Sequence, residues 1–559
     1  MTPTPPPPCV LHEDEHLLVV EKPPGWNTHA PAPYAGEGLY DWLRHREPRW
    51  ARLAIMHRLD KDTAGVMVFA KTSLASRALT GQFTRREVTK SYRLLAMQCP
   101  GERRFRVESE LVRVGERYQS QAGSGGERAV TEFAVLEKRP DGLVTIEARP
   151  LTGRTHQIRV HAAENGFPIL GDRLYGGPPA PQLALQAVAL GFTHPATGER
   201  REFRARTDHL APLLAAPPLE RHSYLAGLAA ARRRAFIARA ETDCCRLIHG
   251  EGDGGPWAGQ YLDQWGPYLL WSHAEELRAA SLPGAVSQSP DWLTAWATDA
   301  GFRGVYRKVL RRAARARAGT EASPERLAGE RAPERFVVQE NGVRFEVSFA
   351  EGYSVGLFLD QRDNRRRLLV NHVAADFPLF ADGAAGAEVL NVFAYTCGFS
   401  VCAGLAGART TSLDLSLKYL EWGKRNFALN GLSPADHEFI HGDAFDGLRR
   451  LAKKGRQFDA VLLDPPTYST SKEGGRWQAE RDYGRLVSAA LPLVKPGGVL
   501  FSSTNAGRVT PADFVSIVHQ AVAASRRAVL REHYVPQPPD FPISRAEPAH
   551  LKTLWLRLA

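Results

Sequence analysis

"EVLNVFAYTCGFSVCAGLAGARTTSLDLS", residues 388–416, decides how the second half of this chain folds. A short apolar segment ends on Val392, a loop of small and polar residues follows, "GFSVCAGL" reads as a helix, and a second apolar segment ends at Asp414. Strands of a few apolar residues separated by helices define a parallel, doubly wound sheet. Such sheets bind ligands beyond the carboxyl ends of their strands. A tight turn lets the backbone approach a nucleotide, and an acid at the next strand end accepts from ribose hydroxyls. The glycine pattern is loose, so this stretch alone would serve any nucleotide. Further along, "FIHGDAFDGL" (439–448) sets Asp443 at a third strand end and "FDAVLLDPPTYSTSK" (458–472) sets Asp464 at a fourth.

Composition bounds the rest. The chain has 559 residues, enough for three or four units, with 43% hydrophobic and 24% charged residues, as in soluble globular proteins. No apolar run approaches the ~18 to 20 residues of a membrane span, and "MTPTPPPPCV" lacks the basic start and apolar core of a signal peptide. A cytoplasmic protein with no membrane contact is expected, its residues 1–9 a disordered lead-in. The 6 cysteines are few and irregularly spaced, which argues against a disulfide framework or a zinc site. No metal is expected. With 72 Lys and Arg against 61 Asp and Glu, a net charge of +11, the partner is polyanionic; the basic runs "ARRRAFIARA" (231–240) and "RKVLRRAARARAG" (307–319) concentrate that charge.

Four regions follow the lead-in. Residues 10–214 alternate short apolar segments with Gly, Pro and Asp, a mixed and strand-rich α+β pattern. Residues 215–245 read as a helical linker, 246–350 as a small strand-rich domain with a basic helical middle, and 351–559 as the α/β doubly wound domain.

In the first region "HRLDKDTAG" (57–65) reads as a polar crossing between two strands, with Asp60 at its tip among basic neighbours. It is followed by "VTKSYRLL" (88–95) and "LTGRTHQIRVHAAENGFPILGDRLYGG" (151–177). These three stretches, in this order, resemble the RluA-type pseudouridine synthases over residues 10–214. The resemblance implies a mixed antiparallel sheet, Asp60 as the catalytic aspartate, Tyr92 as the active-site tyrosine, Arg159 as its basic partner, and Arg58 as the residue that fills the gap left by a flipped base. The chemistry suits these groups. Breaking the bond from C1′ to N1, turning the base and rejoining through C5 needs no external reagent; an ionised carboxylate either attacks C1′ or takes a proton from the sugar. A guanidinium keeps that carboxylate ionised, and an aromatic face receives the unstacked base. His57, His156 and His161 read as hydrogen-bonded structural histidines. Ala64 stands where many members of the family have Ser.

The second half resembles the class I S-adenosylmethionine-dependent methyltransferases of the RlmI and RlmK type, which modify 23S ribosomal RNA, from about residue 246 to 559. Included is "GLFLDQRDNRR" (356–366), which in the family helps enclose the cofactor. The resemblance implies a Rossmann-like domain with Tyr395, Thr396 and Gly398 as the S-adenosyl-L-methionine loop, Asp414 for the ribose and Asp443 for adenine. It implies Asp464, Pro465 and Pro466 at the catalytic edge, and Gln361 and Arg362 beside the cofactor. The region 246–350 would then contact RNA. Enzymes that methylate cytosine C5 first add a cysteine thiolate to the ring, and "VLFSSTNAG" (499–507), where the cytosine-specific relatives carry it, has no cysteine. Cys397 and Cys402 read as packing residues. "DPPTYSTSK" is nearer the branch that makes 7-methylguanosine, so guanine N7 is the expected acceptor.

The expectation is therefore one chain with two RNA-modifying activities, acting on 23S ribosomal RNA, with transfer RNA open for the synthase half. Three alternatives stand beside it: an active synthase with a non-catalytic docking domain, methylation of cytosine C5 in place of guanine, and a ribosome-assembly factor.

Overall fold

A computed structural model describes residues 6–121, 125–214, 221–254, 256–274, 291–310, 323–352, 354–470 and 476–559. The chain forms two compact units, one chiefly Arg52–Ala238 with Met1–Ala30 and Gly38–Trp42, the other chiefly Arg239–Ala559 with Pro31–Glu37 and Leu43–Ala51.

The first unit is built on one sheet. Its strands run in the order Val10–Glu13, Leu17–Lys22, Ala64–Ala70, Leu185–Thr193, Thr89–Ala96, Val144–Pro150, Glu127–Lys138, Arg104–Val114 and Arg117–Ser120. Ala64–Ala70 is buried at every position, as a strand covered on both faces must be, whereas Arg104–Val114 alternates exposed and half-buried residues. Ala64–Ala70 pairs in parallel with Leu185–Thr193, and all other pairings of this sheet among the described residues are antiparallel. That parallel contact depends on Gly65. Its φ is +125°, and a Cβ built there would lie 2.1 Å from the carbonyl oxygen of Ala187. The chain between Ala54–Ile55 and Ala64–Ala70, which pair antiparallel, is the polar crossing expected from "HRLDKDTAG".

Two expectations shift here. Part of the lead-in is ordered, since Cys9 is buried and its N–H donates to Ala235 O at 2.9 Å; residues 1–5 lie outside the described residues. The helix Arg221–Arg233 belongs to the first unit, and Phe236 just beyond it meets Trp26 edge-on at 4.0 Å, so aromatic burial ties down much of what reads as a linker.

The second unit holds a seven-stranded sheet in the order Glu438–His441, Arg409–Asp414, Glu388–Val392, Phe458–Leu463, Val494–Thr504, Lys552–Leu558 and Val529–Val535. The first five are parallel and the last two join antiparallel. The order reverses between Glu388–Val392 and Phe458–Leu463, which marks the place for a ligand. A five-stranded sheet (Cys244–His249, Gln260–Trp265, Tyr268–Ala274, Gly304–Leu310, Glu325–Gly329) precedes it. Its Trp265, Tyr268 and Tyr306 share one apolar core with Val389, Leu462 and Phe501, so residues 246–350 pack as part of the second unit. Of the basic run 307–319, residues 311–319 lie outside the described residues. Among the described residues no helix is long and apolar enough to cross a membrane.

Gly65→Ala forces either a strained φ or loss of the parallel pairing. We expect it to destabilise the first unit by roughly 3 kcal/mol or more. Thermal unfolding would show the drop in Tm, while cofactor binding to the second unit stays at the wild-type level.

Candidate active sites

Asp60 sits at the tip of the crossing, held from both sides. Thr28 Oγ1 donates to Leu59 O at 2.8 Å and accepts from Leu59 N at 3.1 Å. Lys22 Nζ donates to Lys61 O at 2.8 Å, Trp26 O at 2.7 Å and Pro23 O at 3.1 Å. The Lys22 side chain is fully buried; burial brings its pKa down to about 7, and the carboxylates of Asp62 and Asp60 resist that fall. The backbone flanking the Asp60 carboxylate is thus fixed by two residues that the sequence reading passed over, Lys22 and Thr28. Their only signal was the strand break in "EKPPGWNTH".

Arg159 lies on the helix Gln157–Glu164. Its Nη1 is 3.6 Å from Asp60 Oδ2, while Nε and Nη2 donate to Asp172 at 2.7 and 2.8 Å. Burial opposes the Arg159 charge, but the bonds to Asp172 outweigh it and hold the guanidinium protonated. Gln157 locks the same turn, accepting from Thr152 Oγ1 (2.7 Å) and Arg154 N (3.0 Å) and donating to Val130 O and Thr131 Oγ1 (2.9 Å each). Tyr92, on Thr89–Ala96, is half-buried; burial first, and then the Asp60 charge, raises its pKa, so it stays a neutral phenol. Arg58 is exposed on the crossing, two residues before Asp60.

The three histidines separate. His57 accepts from Val68 N at 3.2 Å and stacks on Phe83, and burial takes its pKa down to about 3. His161 bonds Ser109 and Thr131 at 3.0 and 2.9 Å, with its pKa lowered by burial to about 4. Both are structural, as expected. His156 is hydrogen-bonded too, its Nδ1 2.8 Å from the Tyr175 hydroxyl, and its Nε2 lies 3.8 Å from Asp60 Oδ2.

In the second unit one cavity of about 1440 Å³ is lined by Tyr395, Thr396, Gly398, Asp414, Asp443, Asp464, Pro465, Pro466 and Gln361. That volume exceeds a usual small-ligand pocket and leaves room for a cofactor and a base together. The loop after Glu388–Val392 is strained: Phe393, Tyr395 and Cys397, none a glycine, have φ of 63°, 49° and 62°. Within that loop the Tyr395 amide donates to Asp414 Oδ2 at 2.8 Å, and Ser416 N, just beyond the acid, donates to Oδ1 at 2.8 Å. Each oxygen keeps a second lone pair for a ribose hydroxyl. Asp443 caps the helix Ala444–Lys453. Asp464 Oδ1 accepts from Gln361 Nε2 at 3.1 Å, and the same amide donates to Ser503 Oγ at 2.7 Å. Burial pushes the Asp464 carboxyl up to about 6, while bonds from Ser503 and Gln361 pull the other way.

Arg362 is placed elsewhere. It donates to Asp540 at 2.8 and 2.6 Å, buried and away from the cavity, and Arg365 lines the cavity instead. Cys397 and Cys402 are buried, and burial pushes Cys397 up to about 12 and Cys402 also upward, which suits packing residues rather than nucleophiles. Next to Cys397 only a glycine fits, since a Cβ on Gly423 would lie 2.3 Å from its Sγ. One group among the described residues, Glu37, His45 and His533, brings three ligand atoms within 4.8 Å. Burial first, and then neighbouring cationic groups that include Arg367 and Arg44, depress the His533 pKa, and those charges oppose a cation there.

With both sites described, the comparisons fall into place. Residues 245–557 match the S-adenosylmethionine-dependent methyltransferase model, and residues 16–164 match RNA pseudouridylate synthase. The chain belongs to the S-adenosylmethionine-dependent methyltransferase family and carries a pseudouridylate synthase domain ahead of it. It is 33% identical over 336 residues to a ribosomal RNA large subunit methyltransferase of Deinococcus radiodurans, covering 59% of this chain and 77% of that protein. To the large subunit methyltransferase K/L of a Psychrobacter species it is 42% identical over 173 residues, 30% of this chain and 20% of that one. A solved putative methyltransferase complexed with SAH matches with a TM-score of 0.51 and 26% identity, over 61% of this chain and 82% of the other. Both halves are enzymes, and the second uses S-adenosyl-L-methionine.

Methyl transfer that needs Asp464 ionised rises with pH through about 6 and levels above it. Gln361→Leu removes a donor that favours the carboxylate, so the midpoint of that rise moves to higher pH. A pH–rate profile of both forms checks the sign.

Proposed function

We propose that this chain isomerises a uridine and methylates a guanine in large-subunit ribosomal RNA, in the cytoplasm. The observation that carries this reading is the convergence of Asp414, Asp443, Asp464 and Gln361 on one cavity, in a chain whose other unit sets Arg159 3.6 Å from Asp60 and Tyr92 within reach of the Asp60 charge. The relatives named for large-subunit RNA support the substrate.

In the first unit Asp60, steadied by Arg159, acts on C1′ or on a sugar proton of a base received against Tyr92. The bond to N1 breaks, the bond to C5 forms, and the proton lost from C5 is balanced by one gained at N1. In the second unit Asp414 binds the ribose of the cofactor, Asp443 its adenine, and Tyr395, Thr396 and Gly398 its remaining length. S-adenosyl-L-methionine, when bound, supplies an electrophilic methyl group. Asp464, with Pro465 and Pro466, orients the base and sets a carboxylate against the charge that develops on it. With Cys397 and Cys402 held as buried thiols and no cysteine among the described residues lining the cavity, cytosine C5 has no nucleophile to activate it, and guanine N7 offers its own lone pair. A second reading rests on the Asp464 carboxyl at about 6: such a base suits the exocyclic N2 of guanine, which sheds a proton on methylation. Residues 246–350, with the basic Arg307 and Lys308, and the exposed Arg58 supply the RNA contacts.

Nucleoside mass spectrometry of 23S and transfer RNA from cells lacking the protein, complemented by wild type, Asp60→Ala or Asp464→Ala, checks the whole proposal. Asp60→Ala should lose one pseudouridine and keep a methylguanosine; Asp464→Ala should do the reverse. The methylated atom separates N7 from N2. Loss of no methyl mark on Asp464→Ala leaves the second unit as a docking domain and contradicts the proposal.

A further inference from the structure

We infer that His156 is a positioning residue for Asp60, a neutral imidazole whose single N–H is fixed on Nε2 and aimed at one carboxylate oxygen, leaving the other to the sugar. The inference rests on Asp60 being the reactive group of the first unit.

Tyr118 N–H donates to the Tyr175 hydroxyl at 2.9 Å, and that hydroxyl stands 2.8 Å from His156 Nδ1. A phenol has one proton to give. Having accepted from Tyr118, Tyr175 gives that proton to Nδ1, so Nδ1 is the acceptor and a neutral ring carries its hydrogen on Nε2. The reverse tautomer would hand the hydroxyl a second donor and turn its own proton out to solvent. Burial lowers the His156 pKa more than the Asp60, Asp172 and Asp62 charges raise it, and Arg159 also lowers it, so the ring is neutral at neutral pH.

The ring is held as well as protonated in one way. His156 has φ of 58° at the entrance to the helix Gln157–Glu164, a conformation uncommon outside glycine. Its ring meets Tyr175 at 5.6 Å and 85°, and Tyr118 at 5.5 Å and 74°. Tyr175 also lies under the Arg159 guanidinium at 5.0 Å, so one tyrosine sets both donors. Both approach the same atom: Asp60 Oδ2 is 3.8 Å from His156 Nε2 and 3.6 Å from Arg159 Nη1. These distances are just beyond hydrogen-bond length and tighten when substrate fills the cleft. Two donors on Oδ2 orient the carboxylate and turn Oδ1 toward the ribose. The side chain that reads as one more structural histidine therefore belongs to the site.

The test uses the full chain and RNA from cells lacking it, as probe, with pseudouridine formation measured under single-turnover and steady-state conditions. His156→Ala should lower kcat by about tenfold or more with KM within about twofold, and His156→Gln, whose amide still donates, should recover part of the loss. Tyr175→Phe keeps the ring under Arg159 and removes the lock. Nitrogen-15 spectra of the histidine rings should show Nε2 protonated in the wild type and a mixture of tautomers in Tyr175→Phe. Wild-type turnover in His156→Ala while Asp60→Asn is inactive overturns the inference, as does a proton found on Nδ1. An active Asp60→Asn overturns instead the reading of Asp60 on which it rests.

Discussion

A buried fork between Arg159 and Asp172 determines what the first site can do. The Asp172 side chain is fully buried and takes Nε and Nη2 of the guanidinium, which leaves Nη1 to face Asp60. Only a planar, multiply donating group divides its bonds this way; a lysine would satisfy one carboxylate or the other. Buried ion pairs contribute little net stability, because desolvating both charges offsets their attraction, yet removing one partner costs about 3–5 kcal/mol. The fork therefore supplies position. Around it the crossing is clamped by Lys22 and Thr28, and the helix entrance by Gln157 and the left-handed His156.

The second unit repeats the device. The helix Arg362–Val370 is buried along nearly all its length although it begins "RDNRRR", and this is tolerable because three of its arginines meet carboxylates while Arg367 donates to the Asp363 carbonyl at 3.0 Å. Arg362 pairs with Asp540, Arg365 with Glu340 at 2.7 Å, and Arg366 with Glu47. These pairs fix the start of the helix, where Gln361 is the N-cap residue and reaches Asp464 across the cavity. Methylation needs a base oriented beside the cofactor, and orientation is what such an anchored amide provides.

How much of this was legible from sequence follows from the kind of constraint involved. Acids at successive strand ends of a parallel sheet must share one edge, so Asp414, Asp443 and Asp464 could be placed from strand and helix periodicity alone. Arg362 could not, because neighbouring residues at the start of a helix point about 100° apart, and Gln361 faces the cavity while Arg362 faces Asp540. Asp172, Lys22 and Thr28 act through contacts distant in the chain, with nothing local to mark them. His57, His156 and His161 look alike in a motif; only the folded chain shows which one turns toward Asp60. The region 246–350 reads as a domain because its hairpins are distinct, but its aromatic face is completed by the core of the following sheet.

The most direct test of this account is single-turnover pseudouridine formation by Asp172→Asn alongside wild type, with RNA binding measured in parallel. Asparagine keeps the shape and removes the charge that holds Arg159. The account predicts RNA affinity within about twofold of wild type and turnover lower by roughly a hundredfold. Turnover at the wild-type rate would mean that Arg159 finds Asp60 without the fork, and would contradict it.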